Sequence, residues 1–157
     1  MSRYDWLVAL HVTGAFLVIG GAVAAGVLNI AAQGRERPSE VALLLGLIRP
    51  VVLAVSAGLL ITLGFGIWLV HEAGFGFGDG WVIAALILLV IAGVLGDLGG
   101  KRDRKTRELA ERWASEGDTP QPELRARLRD PVSLALSYGS GVLVLVILGL
   151  MIWKPGA

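Results

Sequence analysis

The chain carries two imidazoles, His11 and His71, and one internal thioether, Met151. Both group types serve as axial ligands of haem iron and as donors to copper, and Glu72, directly after His71, adds a carboxylate oxygen. There is no cysteine among the 157 residues, which excludes disulfides, thiolate metal sites and thiol redox chemistry. A cofactor must therefore be held by His, carboxylate, Met or backbone. On residue type the candidates are haem b, with His11, His71 and Met151 as ligands, and copper or another metal ion, with His11, His71 and Glu72. Whether these groups can meet depends on the elements that carry them.

His11 lies in "LHVTGAFLVIGG", residues 10–21, inside a long apolar run. Such runs dominate the chain: 55% of residues are hydrophobic and the mean hydropathy is +0.71, far above what a water-exposed globular surface carries. Segments 6–34, 50–71, 80–96 and 131–153 lack Lys, Arg, Asp and Glu over 29, 22, 17 and 23 residues. Each is long enough for a helix across a ~30 Å hydrocarbon core. They are too long and too uniformly apolar for the alternating strands of an outer-membrane barrel. The expected fold is all-α, an integral-membrane antiparallel four-helix bundle. Its single domain covers 1–157, with helices at about 5–32, 46–71, 80–100 and 131–153 and a cytoplasmic basic helical hairpin at 101–130. The first run is expected to be retained rather than cleaved as a leader, because it is too long and Arg3 and Asp5 cancel before it.

Charge sets the expected orientation. Residues 33–49 hold three Lys or Arg and residues 97–130 hold nine, whereas the other side holds only Arg3 and Lys154. The positive-inside rule then places both termini and the connection "HEAGFGFGD" outside. Trp6, Trp68, Trp81 and Trp153 fall at that outer end of the four helices, as an aromatic belt does. Within the basic segment, Arg104 and Glu108, Arg107 and Glu111, and Glu108 and Arg112 stand four apart, as on a solvated helix. Asp130 before Pro131 suits an N-cap and first helical position.

Helices in lipid associate through small residues. Ala54, Gly58, Thr62 and Gly66 form one stripe on the second helix; Ala92, Gly96 and Gly100 form another on the third, and Ser133, Ser137 and Gly141 a third on the fourth. On the first helix His11, Gly14, Val18, Gly21, Ala25 and Asn29 follow one face. His11 therefore looks into the bundle, where a carbonyl, a Ser or Thr, a water or a metal can satisfy it. Antiparallel pairing brings His11 and His71 to the same side, with Met151 at the outer end of helix four. His71 abuts Glu72 at the interface, so the relative depth of the two rings is left open. At the opposite end, Arg49 opens helix two and Asp97 closes helix three, which suggests a structural ion pair with Asn29 within hydrogen-bonding reach. No Walker-type glycine loop, HExxH motif or paired mid-membrane carboxylate appears.

With these residues placed, the first helix resembles that of a bacterial integral-membrane family of unknown function, domain of unknown function 2269. That family shares an L-H-x-x-G/A-x-x-x-x-x-G-G pattern with copper-resistance D proteins and HemJ-type protoporphyrinogen oxidases. In the HemJ-type enzymes the first-helix histidine is associated with haem, a role that the resemblance would map to His11. Those enzymes are also expected to carry a lysine in a later membrane helix, and "WVIAALILLVIAGVLGDLGG" has none.

The expected protein is thus a small bacterial inner-membrane protein, non-enzymatic, with both termini outside and the lipid bilayer rather than nucleic acid as its partner. An outer-side cavity lined by His11 and His71 would take haem or a metal ion. The alternatives are a haem-dependent redox or porphyrin enzyme, and a structural or channel-like homo-oligomer without cofactor. Four short helices bury little surface, which leaves a homodimer open.

Overall fold

The computed structural model describes residues 2–155, which form six helices and, among the described residues, no strand. Helix α1 spans Arg3–Gln33, α2 Pro38–Gly46, α3 Ile48–Glu72, α4 Gly80–Ser115, α5 Pro122–Leu128 and α6 Pro131–Trp153. Among the described residues four sections are long and apolar enough to cross a membrane. At 1.5 Å per residue, the 31 residues of α1 extend about 46 Å and the 36 of α4 about 54 Å, so both project beyond a ~30 Å core.

Local chemistry sets the ends. Ser2 and Asp5 form a reciprocal capping box on α1: the Ser2 hydroxyl accepts from the Asp5 amide and the Asp5 carboxylate from the Ser2 amide. On α6, Asp130 accepts from the Ser133 amide at 3.0 Å, with Pro131 at the first helical position. Helix α2 occupies a stretch that the sequence reading left as a connection. It breaks from α3 at Leu47 because Pro50 has no N–H for the Gly46 carbonyl and its ring crowds that oxygen. Between α4 and α5 the chain reverses at Gly117 and Asp118, both with positive φ.

The membrane part is two antiparallel pairs, α1 with α3 and α4 with α6. α1 also touches α6, and α2 lies on α4. Two ends result: a terminal end, where α1 begins and α6 finishes, and a basic end carrying α2, α5 and the outer half of α4. The main apolar core sits at the basic end, where Ala32, Val41, Leu45, Ile48, Ala110, Leu124 and Leu128 close on one another beside Trp113. Segment 101–130 is therefore not a purely solvated hairpin; its apolar side seals α2 and the last turns of α1. Along the spans the large side chains face outward, among them Phe16, Leu53, Leu60 and Val90, as lipid contact requires.

Candidate functional site

The α1–α3 seam is built on missing side chains. A Cβ at Gly14 would meet the Thr62 amide nitrogen at 2.7 Å and the Gly58 carbonyl oxygen at 2.8 Å, so the backbones touch as only glycine permits. One turn toward the terminal end from Gly14, the His11 ring lies across the seam against Gly66; a Cβ there would stand 2.9 Å from both Cε1 and Nδ1. Nδ1 is 2.9 Å from the Thr62 carbonyl oxygen. A carbonyl can only accept, so Nδ1 carries the proton and donates, which leaves Nε2 with its lone pair in the neutral ring. Among the described residues, the side-chain atoms both buried and unpartnered are the Thr62 hydroxyl oxygen and Trp81 Nε1. Nε2 of the half-buried His11 is not one of them, and it has no hydrogen-bond partner among the described residues.

Nearer the terminus on the same seam, the Arg3 guanidinium lies over the Trp68 ring, 4.9 Å from its centroid. Among the described residues Arg3 has no carboxylate partner, since Asp5 is engaged by the Ser2 cap. His71 and Glu72 are exposed at the end of α3. His71 lies five residues beyond Gly66, about 8 Å along the axis toward that end, so the seam holds His11 deeper than His71. Met151 is half-buried on α6. Among the described residues no group of three or more His, Asp or Glu side chains gathers as a metal cage. Two hollows lie elsewhere: about 460 Å³ on α6 between Val142 and Pro155, and about 640 Å³ at the basic end beside Glu36 and Asp118. Neither is lined by a histidine.

The tryptophan belt has one correction. Trp6, Trp68 and Trp153 are exposed, but Trp81 is buried, with Phe75 edge-on at 5.3 Å and the Lys154 ammonium over both rings. The connection after α3 folds back over it.

At the basic end the expected Arg49–Asp97 ion pair is replaced by a local one. Asp97 pairs with Lys101 one turn along α4 at 2.6 Å, a contact that needs no second helix. Asn29 reaches past this level and donates to Asp103 at 3.0 Å, linking α1 to α4. Asp103 lies beyond the apolar section of α4; burial pushes its carboxyl above the usual range, and the Asn29 donor offsets part of that rise. Of the three four-apart pairs on α4, Arg107 with Glu111 forms, at 3.4 Å. The Asp118 carboxylate accepts from both the amide and the hydroxyl of Ser39, at 2.8 and 2.7 Å, and so clasps the start of α2. Arg102 with Asp130 and Arg125 with Glu36 add surface ties.

Long apolar helices paired through glycine, with charges confined to their ends, define a polytopic helical membrane protein. A family model described as "Predicted integral membrane protein (DUF2269)" matches residues 5–155. The chain belongs to that family. No curated protein and no solved structure matches it.

Proposed function

We propose that the chain is a non-enzymatic multi-pass protein of the bacterial inner membrane that holds haem or a metal ion at His11. Its basic end faces the cytoplasm and both termini face outward, a reading supported by the concentration of Lys and Arg at one end. The observation that carries the ligand reading is the half-used His11 ring. A ligating histidine characteristically donates its other ring N–H to a carbonyl or carboxylate, which fixes the tautomer and aims the free nitrogen. The Thr62 carbonyl accepts that hydrogen bond here, and Nε2, unpartnered among the described residues, lies at a depth where an unpartnered imidazole nitrogen is costly. His71 and Met151, at the same end, are the remaining donors for a second ligand position. Bound haem would supply a one-electron couple in the terminal-side half of the membrane.

The test is the ultraviolet and visible spectrum of purified protein, oxidised and dithionite-reduced, with metal analysis on the same sample and His11→Ala as control. A Soret band or stoichiometric metal that disappears in the variant is expected. Protein that is clean and metal-free, and unchanged on adding haem or copper, overturns the reading. A second reading, a cofactor-free homo-oligomer, draws on Gly20, Gly64 and Gly93, which have nothing across from them within 4 Å. Crosslinking in membranes that gives monomer at every protein level excludes it.

A further inference from the structure

The close helix contacts set the four spans on one scale of depth. Gly14 stands against Thr62 and Gly21 against Val55, so on the antiparallel α1–α3 pair Asn29 is level with about Leu47. Asn29 bonds Asp103, which brings α4 to the same height. Arg49 and Lys101, each two residues nearer the apolar layer, therefore share one level. On α6, Gly99 against Ser137 and Gly96 against Ser140 put Pro131 level with Lys105, and Arg129 just beyond. From Arg49 to Trp68, which carries Arg3 at the terminal end, is nineteen residues or about 28 Å of helix, one hydrocarbon thickness. The band from Arg49 out to Lys105 and Arg129 then lies at the headgroups of the basic end.

Charge at this end is sorted by that depth. Residue 49 with residues 97–107 and 129–130 holds seven cations and three carboxylates, whereas the rest of the basic end, 33–48 and 108–128, holds five cations and seven carboxylates. The three carboxylates of the band are taken: Asp97 by Lys101, Asp130 by Arg102 and the Ser133 amide, and Asp103 by Asn29. Arg49, Arg104, Lys105 and Arg129 are left exposed, without a carboxylate partner among the described residues. Exposed apolar side chains continue the surface toward the membrane: Leu53 one turn from Arg49, Leu98 one turn from Lys101, and Val132 three residues from Arg129. The terminal end is unlike this. Its two cations lie over aromatic rings, Arg3 on Trp68 and Lys154 on Phe75, at an end that also holds three carboxylates.

We infer that this band binds anionic phospholipid: its free cations take lipid phosphates that carry no neutralising amine, and the acyl chains lie on Leu53, Leu98 and Val132. A guanidinium gives a phosphate two parallel donors, and the Lys105 ammonium adds a mobile point charge. Cations at this height gain from an anionic leaflet what a zwitterionic one does not offer. A soluble polyanion is the poorer fit, because it would approach from the side where carboxylates outnumber cations. The preference belongs to one end of the protein and does not depend on what His11 holds.

The experiment reconstitutes the full chain in phosphatidylcholine vesicles and follows spin-labelled phosphatidylglycerol and, separately, spin-labelled phosphatidylcholine by electron paramagnetic resonance. The quantity read is the ratio of the two association constants, taken from the motionally restricted fraction of each label. Wild type is compared with a near variant, Arg49→Gln with Lys105→Gln and Arg129→Gln, and with a far variant of equal charge loss, Arg35→Gln with Arg37→Gln and Arg112→Gln. Circular dichroism checks that each is folded. Wild type is expected to prefer phosphatidylglycerol by about twofold to fivefold, the upper figure being what one cation near an anionic surface contributes. The near variant should bring the ratio toward one, and the far variant should keep it. High salt should also erase the preference in wild type, an arm that needs no variant. Inorganic phosphate should displace no more lipid than chloride does at matched ionic strength, because the surface takes the headgroup together with its chains. A wild-type ratio of one, a ratio that salt or the near variant leaves intact, or an equal fall in both variants overturns the inference, and so does displacement by inorganic phosphate.

Discussion

Gly14 and Gly58 face each other so closely that a Cβ on either would lie 2.8 Å from the other's carbonyl oxygen. Two backbones in contact gain dispersion along their length and allow weak Cα–H···O interactions, which matter in lipid because apolar side chains gain little by leaving it. The same approach brings the Thr62 carbonyl within reach of the His11 ring.

Substitution should therefore separate glycines that pack from glycines that face outward. Gly58→Ala would place a methyl 2.7 Å from Leu17 Cβ, and the helices must part. A loss of about 1–3 kcal/mol is expected from such overpacking. Gly64→Ala, with open space, should be neutral or gain up to about 1 kcal/mol through helix propensity. Thermal unfolding in micelles measures both; equal effects would mean that the seam is not built on this contact.

Asn29 and Asp103 join the two helix pairs at the basic end. Asn29→Ala leaves a partly buried carboxylate without its donor and should cost about 1.5–3 kcal/mol at neutral pH, the range for hydrogen bonds to charged groups. Asp103→Asn keeps a hydrogen-bonding partner and removes the charge, so it should be tolerated far better. Because burial raises the Asp103 carboxyl in the folded chain, its contribution is fully present below the unfolded pKa and falls as pH rises through the folded one. The Asp103→Asn advantage should accordingly grow from acid toward neutral pH.

Asp118 has the opposite sign. The Ser39 hydroxyl, and then the Ser39 amide, hold its carboxyl below the usual range. Its stabilising effect is present above the unfolded value, about 3.9, and is lost as pH falls through the folded one. Amide exchange at Ser39 should therefore accelerate at acid pH beyond the intrinsic trend. Asp118→Asn should show fast exchange at neutral pH and little added acceleration in acid. An acid response equal to wild type in that variant would refute the clasp.

The four spans are legible because a membrane demands about 20 apolar residues in a row, a signal that survives without any tertiary knowledge. The inward face of His11 is legible for the same reason, from its rhythm with Gly14 and Val18. Its partner is not, since a backbone carbonyl has no side-chain signature and reaching it depends on how α1 and α3 are rotated. Asp97 shows the reverse: Lys101 four residues on was visible in the sequence, and the nearer partner prevailed over Arg49 on another helix. Asn29 meets Asp103 only because α4 runs past its apolar section as one helix, and α2 is signalled by Pro38 at its start and Pro50 four residues after its end. Trp81 looks like a belt residue in sequence; it is covered by a connection whose glycines conceal where Phe75 will land.

Orientation can be read directly because the chain has no cysteine of its own. Ser2→Cys labels the terminal end, and Ser115→Cys, exposed at the finish of α4, labels the basic end. With a membrane-impermeant maleimide on intact spheroplasts, Ser2→Cys should react at once and Ser115→Cys only after lysis. The physical basis is the barrier to carrying Arg and Lys through hydrocarbon, about 2.5–3.5 kcal/mol per residue on insertion scales, summed over twelve such residues at the basic end. Substituting Arg102 and Arg125 would break single ion pairs without reversing that sum, so labelling should not change. Reversed labelling in the wild-type background would leave the helix pairs intact but place His11 and Arg3 on the cytoplasmic side. The ligand proposed at His11 would then have to reach it from the cytoplasm.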